Sequence, residues 1–320
     1  MRGMSRAWLI AALLLPAGFG CASIDSPGPS LGDALIGDAD VAHIAFDVVR
    51  GYAFIEGTVA GQPGGFILDT GTPDGVFLNH AGIALPPGEP VASGQSGSAQ
   101  GAAGRRQDVL RHAGVGPIAV AGRELPAQAF VRSSDFGYVA DMANGGLRPD
   151  ILGFIGLPLL VEHEITLDYQ QRRLSLHRLG ENGEPHIAHV DPEDVVVVLP
   201  FHRGEGSQHH LPFTEVEIMG IRFNALLDNG TLGDLALTAE AANALEAAGA
   251  LQPDACGKAI RGLRARGIPI TAGTPIVRDS AINAMRLGYN LLRHYRSVWN
   301  YRQGTVTLLE PLGPPAPPAC

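Results

Sequence analysis

One segment of this sequence occurs twice, and the duplication restricts the fold more than any other feature. Residues 54–78 read FIEGTVAGQPGGFILDTGTPDGVFL, and residues 213–237 read FTEVEIMGIRFNALLDNGTLGDLAL. Aligned without a gap at a constant offset of 159 residues, the two segments are identical at eight positions. Each copy has alternating apolar residues, a turn with Gly, a second apolar run and a tight Asp-x-Gly turn, which predicts two strands and the turns that follow them.

A second pair of segments repeats in the same order. Residues 154–176 read FIGLPLLVEHEITLDYQQRRLSL, and residues 286–308 read RLGYNLLRHYRSVWNYRQGTVTL. Their offset is 132 residues, so the first half of the chain has 27 residues more between its two repeated blocks than the second half has. Chance similarity does not explain two blocks in a matched order. A duplicated β fold without chemistry explains the repeat but not the aspartate, Asp69 or Asp228, at the same tight turn of both copies.

The composition favours short strands and turns. The 320 residues include 42 Gly and 24 Pro, and no long amphipathic stripe recurs, which argues against a helical bundle. With 45% hydrophobic residues, the chain is long enough for one large or two medium domains with a core. The formal net charge of −9 and the scattered arginines argue against a nucleic-acid partner.

The N-terminus is typical of an export signal. Two arginines precede the apolar run AWLIAALLLPAGFG, which is too short to span a bilayer as a stable helix. Cys21 follows directly, and two interpretations stay open. In the first, the signal is cleaved at a lipobox and Cys21 is acylated, which predicts a membrane-anchored lipoprotein at the cell envelope. In the second, ordinary cleavage nearby, for example after Ala22, predicts a free periplasmic protein.

Cysteine and histidine spacing indicates no metal site and no cofactor. An exported chain meets an oxidising compartment, so Cys256 and Cys320 either form a disulfide or are unrelated cysteines. Neither an HExxH motif nor a Cys–His zinc spacing occurs. The pair His186 and His189 is predicted to lie in a solvated loop.

The segments FILDTGT and GFIGLPLLVEHEITLDYQQRRLSL resemble the catalytic loop and the closing block of the pepsin/retropepsin-like aspartic proteases, and the resemblance covers most of residues 45–310. It implies a mostly β, bilobal acid-protease fold, with two homologous lobes related by a pseudo-twofold axis. It also implies that Asp69 and Asp228, one from each lobe, form a dyad that activates a water molecule and hydrolyses peptide bonds. The expected partner is a peptide or protein substrate, and the chain is expected to be a monomer.

Two carboxylates held a few ångströms apart share one proton, so one acts as base and the other as acid. The three residues after each aspartate are expected to support the dyad: Thr70, Gly71, Thr72, Asn229, Gly230 and Thr231. The glycines permit a sharp turn and a close approach. By the resemblance, the residues Thr72 and Thr231 orient the carboxylates, and Thr70 belongs to a hydrogen-bonded brace between the lobes.

Two positions of the second half depart from the family pattern. Asn229 stands opposite Thr70 in the expected brace, where its amide has the donors and the acceptor that a brace needs. Arg286 stands where the first half has Phe154, and a long charged residue is unusual in a packed turn unless its head reaches solvent. These departures motivate an alternative: an impaired pseudo-protease that acts as a binding or scaffolding envelope lipoprotein. A protease that cuts only itself or one partner is a third interpretation.

The predicted organisation has six parts. They are an export signal (1–21), an N-terminal segment (22–44), lobe 1 (45–178), a linker (179–194), lobe 2 (195–311) and a Pro-rich tail (312–320). The surplus of the first half includes the Gly-rich residues 92–109, which form either a mobile flap over the substrate or a surface loop. Residues 239–250 predict a short helix with Thr238 as its N-cap.

Overall fold

The structure is a computed structural model. It describes residues 30–72, 74–91, 98–100, 106–136, 148–204, 211–230, 235–237, 239–254, 257–270, 275–277 and 285–316. The predicted export signal lies outside the described residues, as do Thr231, Thr238, Cys256 and Cys320. The expectations about these residues therefore stay predictions. The described part of the chain is mostly β and has several sheets, in agreement with the fold class predicted from the composition and the repeat.

In the described part of the chain, the helices are few and short. They are α1 (Leu31–Ile36), α2 (Ala239–Ala247) and α3 (Tyr289–Leu292), with 3-10 turns at Leu157–Leu160 and Pro192–Asp194. The strands up to residue 178 are β1 (Val41–Ala45), β2 (Asp47–Val49), β3 (Tyr52–Val59), β4 (Gln62–Asp69), β5 (Val76–Asn79), β6 (Gly88–Pro90), β7 (Ser98–Gln100), β8 (Arg106–Asp108), β9 (Leu110–His112), β10 (Ile118–Val120), β11 (Arg123–Glu124), β12 (Val131–Ser134), β13 (Ile151–Gly156), β14 (His163–Asp168) and β15 (Arg173–Arg178). The later strands are β16 (Val195–Pro200), β17 (His202–Arg203), β18 (Pro212–Ile218), β19 (Ile221–Leu227), β20 (Leu235–Leu237), β21 (Leu251–Asp254), β22 (Gly257–Ile260), β23 (Leu263–Ala265), β24 (Ile268–Pro269), β25 (Pro275–Val277), β26 (Met285–Leu287), β27 (Arg296–Asn300) and β28 (Thr305–Leu309).

Two sheets have the same strand order, one in each half of the chain. The ten-stranded sheet contains the order β11-β10-β3-β4-β13-β5-β12, and the eight-stranded sheet has the order β24-β23-β18-β19-β26-β20-β25. The pairing senses also agree. The β3–β4 and β18–β19 pairs are antiparallel, β4–β13 and β19–β26 are parallel, and β5–β12 and β20–β25 are parallel. The sequence repeat therefore corresponds to a repeat of topology.

The repeated hairpins owe their shape to two equivalent glycines. Ala60 and Gly61 connect β3 to β4, with φ of 50° and 83°. Met219 and Gly220 connect β18 to β19, with φ of 50° and 84°. Positive φ at both residues of a two-residue loop defines the type I′ turn, whose twist matches that of the flanking strands. This requirement explains why glycine occurs at the same place in both copies.

The third sheet joins the two halves. Its order is β1-β15-β14-β27-β28-β16, so each half of the chain contributes three strands. The strands β14 and β27 pair antiparallel at its centre, where Ile165 lies opposite Trp299. Both side chains are about 1% exposed, as expected for a sheet that is covered on this face. The predicted boundary between residues 44 and 45 falls inside β1, which pairs with β15 in this sheet.

One large apolar core contacts all three sheets, and two small clusters lie on the opposite faces of the ten- and eight-stranded sheets. In β4, Phe66 and Leu68 belong to the large core, whereas Ile67 belongs to the first small cluster. In β19, Leu227 belongs to the large core and Leu226 to the second small cluster. Successive strand side chains point to opposite faces, which produces this division. The aromatic cluster of the first half consists of Tyr52, Phe54, Ile67, Phe77, Val109, Phe136, Ile151 and Phe154, and the apolar cluster of the second half consists of Leu211, Phe213 and Leu226.

Two segments with a local prediction, the helix and the flap region, lie at least partly within the described residues. The helix predicted over residues 239–250 is α2, which ends at Ala247 because Gly249 adopts a φ of 69° and the chain turns there. Within the predicted flap region, β7 and β8 pair antiparallel as a small ribbon, with Ser98 opposite Asp108, and the residues between them lie outside the described part. Among the described residues, no helix has the length and apolar character needed to cross a membrane.

The shared sheet gives a test of the core. Leu308 of β28 is 0% exposed, and Leu308→Ala is expected to lower the free energy of unfolding by about 2–5 kcal/mol, because it leaves a cavity between packed strands. Leu312 is 55% exposed, and Leu312→Ala is the matched control, with an expected change within about 0.5 kcal/mol. Urea denaturation of both variants checks this. Equal effects of the two substitutions would contradict the position of the core.

Candidate active site

Asp69 and Asp228 occupy equivalent strand ends. Asp69 is the last residue of β4, opposite Gly156 of β13, and Asp228 directly follows β19, where its N–H donates to the carbonyl of Leu287 at 2.9 Å. Side chains alternate along a strand, so each carboxyl group projects on the face of the small apolar cluster of its own half. Both aspartates therefore point away from the large core and toward the same space.

The two carboxyl groups meet across the boundary between the halves. They lie close enough that the charge of Asp228 acts directly on Asp69. The glycine two residues after each aspartate contacts the opposite one. A Cβ atom on Gly71 would lie 2.4 Å from Oδ1 of Asp228, and a Cβ atom on Gly230 would lie 2.4 Å from Oδ1 of Asp69. Any larger side chain at either glycine would separate the carboxyl groups.

Backbone and hydroxyl donors hold each carboxyl group in place. Oδ1 of Asp69 accepts a hydrogen bond from the N–H of Gly71 at 2.7 Å, and Oδ2 accepts one from Oγ1 of Thr72 at 2.7 Å. Oδ1 of Asp228 accepts from the N–H of Gly230 at 3.0 Å. Burial and the negative charge of Asp228 raise the pKa of Asp69 to about 7, although Thr72 and Gly71 act in the opposite direction. Below that pH, Asp69 carries a proton between the two side chains.

A reciprocal brace lies directly beneath the carboxyl groups. The N–H of Thr70 donates to Oδ1 of Asn229 at 2.6 Å, and the N–H of Asn229 donates to Oγ1 of Thr70 at 2.9 Å. Each side chain also donates to the opposite strand, Thr70 Oγ1 to the carbonyl of Leu227 at 3.2 Å and Asn229 Nδ2 to that of Leu68 at 3.0 Å. The amide of Asn229 thus performs both the accepting and the donating function that a hydroxyl performs from the other side.

Asn229 has one more donor than a threonine, and Tyr169 accepts it. Nδ2 of Asn229 lies 3.2 Å from the hydroxyl of Tyr169, which directly follows β14 and is 2% exposed. Burial raises the pKa of Tyr169 above its usual range, so the hydroxyl stays neutral. The repeat pairs Tyr169 with Tyr301, yet the hydroxyl of Tyr301 is buried and makes no hydrogen bond within the described part of the chain. Because the two tyrosines of the repeat have different contacts, the repeat alone did not indicate that Tyr169 lies at the site.

Arg286 lies beside the pair. It belongs to β26, next to Leu226 of β19, and its Nη1 atom is 3.5 Å from Oδ2 of Asp228. Only 17% of its side chain is exposed, so the guanidinium group lies inside the site and not at the surface. The equivalent residue of the first half is Phe154, which pairs in the same way with Ile67 and belongs to the aromatic cluster. The sequence singled out Arg286 as a departure, but it did not indicate this contact.

The two histidines that the sequence singled out, His186 and His189, contact other carboxylates. Contrary to the expectation of a solvated loop residue, the ring of His189 stacks on that of His177 at 3.5 Å between centroids, and its Nε2 atom lies 2.6 Å from Oε1 of Glu164. His186 does lie in a loop, where it contacts Asp40 at 2.8 Å. Among the residues that the structure describes, no group of three His, Cys, Asp or Glu side chains could hold a metal ion.

No protein-family model and no curated protein matches this chain. The function is therefore argued from the geometry of the aspartate pair and its neighbours.

The brace yields a prediction about Asn229. Asn229→Ala removes the hydrogen bonds of the Asn229 side chain to the Thr70 N–H, the Leu68 carbonyl and the Tyr169 hydroxyl, and a buried polar group that loses its partner costs about 1–3 kcal/mol. Asn229→Thr retains the first two bonds, so we expect a loss of about 1–3 kcal/mol, smaller than that of the alanine variant. Urea denaturation measures both values.

The control for this prediction is a double variant. Adding Tyr169→Phe to Asn229→Thr removes the hydroxyl that threonine leaves unsatisfied, and part of the lost stability is expected to return. The same loss of stability for Asn229→Thr and Asn229→Ala would show that the brace does not contribute in the way described.

Proposed function

We propose that this chain is an aspartic endopeptidase with a bilobal, pepsin-like fold, in which the two halves are the lobes. The observation that carries the proposal is the close pair of Asp69 and Asp228, at equivalent strand ends and above a reciprocal brace. The repeated strand order of the ten- and eight-stranded sheets supports the duplication that such a fold requires. Export, with or without acylation of Cys21, is part of the same proposal.

In the proposed mechanism, the aspartates differ in charge before reaction. Asp69 carries the shared proton because its pKa is raised, and the guanidinium of Arg286 stabilises the negative charge on Asp228. Asp228 then takes a proton from a water molecule as its oxygen bonds to the carbonyl carbon, and Asp69 gives its proton to the carbonyl oxygen. In the second step the C–N bond breaks, the leaving nitrogen takes the proton from Asp228, and a hydroxyl proton of the intermediate returns to Asp69.

One observation favours a second candidate function. Arg286 forms an ion pair with Asp228 at a position that is apolar in the other half, and a carboxylate held in an ion pair is less available to act on a water molecule. The alternative is a pseudo-protease that binds or scaffolds other envelope proteins through the same cleft. Asn229 no longer favours this alternative, because its brace with Thr70 is complete.

The proposal predicts that both aspartates are essential. Asp69→Asn and Asp228→Asn are each expected to lower kcat/KM for peptide cleavage by about 10²- to 10⁴-fold, because each removes a group that transfers a proton. Cleavage of a peptide mixture, followed by mass spectrometry, measures this loss. Asp38→Asn, at an exposed position outside the site, is the control and is expected to retain full activity.

Two results would contradict this prediction. Normal turnover by Asp228→Asn, with Asp69→Asn inactive, would exclude the pair within one chain. No cleavage by the wild type between mildly acidic and neutral pH, together with no binding of a statine-type transition-state mimic, would favour the pseudo-protease.

The pKa of Asp69 predicts the pH dependence. Asp69 must be protonated for reaction, so kcat/KM is expected to fall about tenfold per pH unit above about pH 7. The folded-state pKa lies above the ordinary value of 3.8, so the folded state holds the proton more tightly than the unfolded chain, and this contribution to stability is lost as pH rises from about 4 to about 7. Asp69→Asn is expected to abolish that part of the pH dependence. Peptide cleavage and urea denaturation across this pH range measure the two effects, and a flat activity profile above pH 7 would contradict the assignment.

A further inference from the structure

Arg286 lies on the face of the eight-stranded sheet from which a substrate must approach. The carboxyl groups of Asp69 and Asp228 project on the faces of the small clusters, so a peptide bond reaches them only from that side. Arg286 is the lateral neighbour of Leu226 and therefore projects on the same face as Asp228. Its Nη1 atom lies 3.5 Å from the Asp228 carboxylate, so a group bound directly beside the reacting bond would meet the guanidinium.

The guanidinium group of Arg286 is incompletely satisfied. Its distance of 3.5 Å to Asp228 is longer than a good hydrogen bond, and it involves one of the nitrogens. The Nε atom is buried and has no hydrogen-bond partner in the described part of the chain. A guanidinium has five N–H donors in a planar fork, and leaving them unpaired inside a protein is costly. A second carboxylate at this position would satisfy donors that Asp228 does not use.

The two sides of the reacting centre differ in chemistry. Phe154 occupies the equivalent position in the first half, where it stacks near Phe136, with ring centroids 4.6 Å apart. A carboxylate on that side would lose its hydration and gain no cation. A carboxylate on the side of Arg286 would gain a paired, charge-assisted contact. Only one of the two residues that flank the scissile bond is therefore favoured as an acid.

We infer that Arg286 selects substrates with a carboxylate group immediately beside the scissile bond. This inference rests on the proposed peptidase function and specifies its substrate class. The planar guanidinium matches a carboxylate with two parallel hydrogen bonds, which a lysine or an apolar residue does not provide. The carboxylate belongs either to an aspartate or glutamate side chain or to the free C-terminus of a peptide.

The experiment compares matched peptides. Wild type, Arg286→Leu and Arg286→Lys are incubated with C-terminally amidated peptides that differ only in Glu or Gln at the residues flanking the cleavage site. A second set compares free-acid with amidated peptides, to distinguish a side-chain carboxylate from a terminal one. Arg222→Leu, an exposed arginine of β19, is the matched control, and circular dichroism verifies that each variant is folded.

The wild type is expected to cleave the Glu peptide, or the free-acid peptide, with a kcat/KM about 10- to 100-fold above that of its neutral partner. Arg286→Leu is expected to lower kcat/KM for both peptides, because it also removes the cation beside Asp228, and to reduce the ratio between them to about one. Arg286→Lys is expected to retain part of the preference. Arg222→Leu is expected to behave as wild type. The set of peptides that shows the preference identifies the source of the carboxylate.

Four results would overturn the inference, and the last of them also tests the proposed function. Cleavage by the wild type without preference, or an unchanged preference in Arg286→Leu, excludes selection by Arg286 and leaves the peptidase proposal intact. Faster cleavage of all peptides by Arg286→Leu would show that Arg286 only restrains Asp228. No cleavage of any peptide by the wild type would refute the peptidase proposal and the inference with it. Fluorescence anisotropy with the same peptides would then show whether acidic peptides bind through Arg286.

Discussion

Thr70 and Asn229 are buried side by side where the two halves of the chain meet, and each bonds the backbone of the other half. The carboxyl groups of Asp69 and Asp228 are held one residue away, so their separation depends on this brace. Two buried carboxylates repel each other and lose hydration, which favours movement apart or full protonation. A brace of four hydrogen bonds, between 2.6 and 3.2 Å long, opposes that movement. The rest of the site is built on this rigid contact.

Two glycines, in addition to the brace, allow the carboxyl groups to lie close together. Gly71 and Gly230 each occupy a place where a Cβ atom would overlap the opposite carboxyl group. Burial and the contact with Asp228 raise the pKa of Asp69, and the missing side chains of the glycines allow that contact. The contact is not symmetric, because Arg286 adds a positive charge on the Asp228 side only and the first half has Phe154 there. A duplicated scaffold thus carries a site with one cationic and one aromatic flank.

Sequence reasoning succeeded where a local pattern has a single structural solution. The equivalent turns at Gly61 and Gly220 need positive φ, and their hairpins were predictable from glycine and alternating apolar residues. It was less accurate where contacts between residues distant in the sequence determine the position of a side chain. His189 stacks on His177 instead of facing solvent, and a stacked ring leaves no local signal in the sequence. The early end of the predicted helix at Ala247 is different, because it follows from a local feature, Gly249, whose φ is 69°.

By itself, the sequence determined the duplication, the two aspartates at equivalent turns, and the glycine and threonine residues around them, because these depend on spacing along the chain. It left open whether Asn229 could replace a threonine and what Arg286 does. Only the tertiary structure decided these points. The acceptor, donors and charge involved belong to residues on the opposite half of the chain or on a neighbouring strand. Asn229 forms hydrogen bonds with Thr70, Leu68 and Tyr169, and Arg286 forms an ion pair with Asp228.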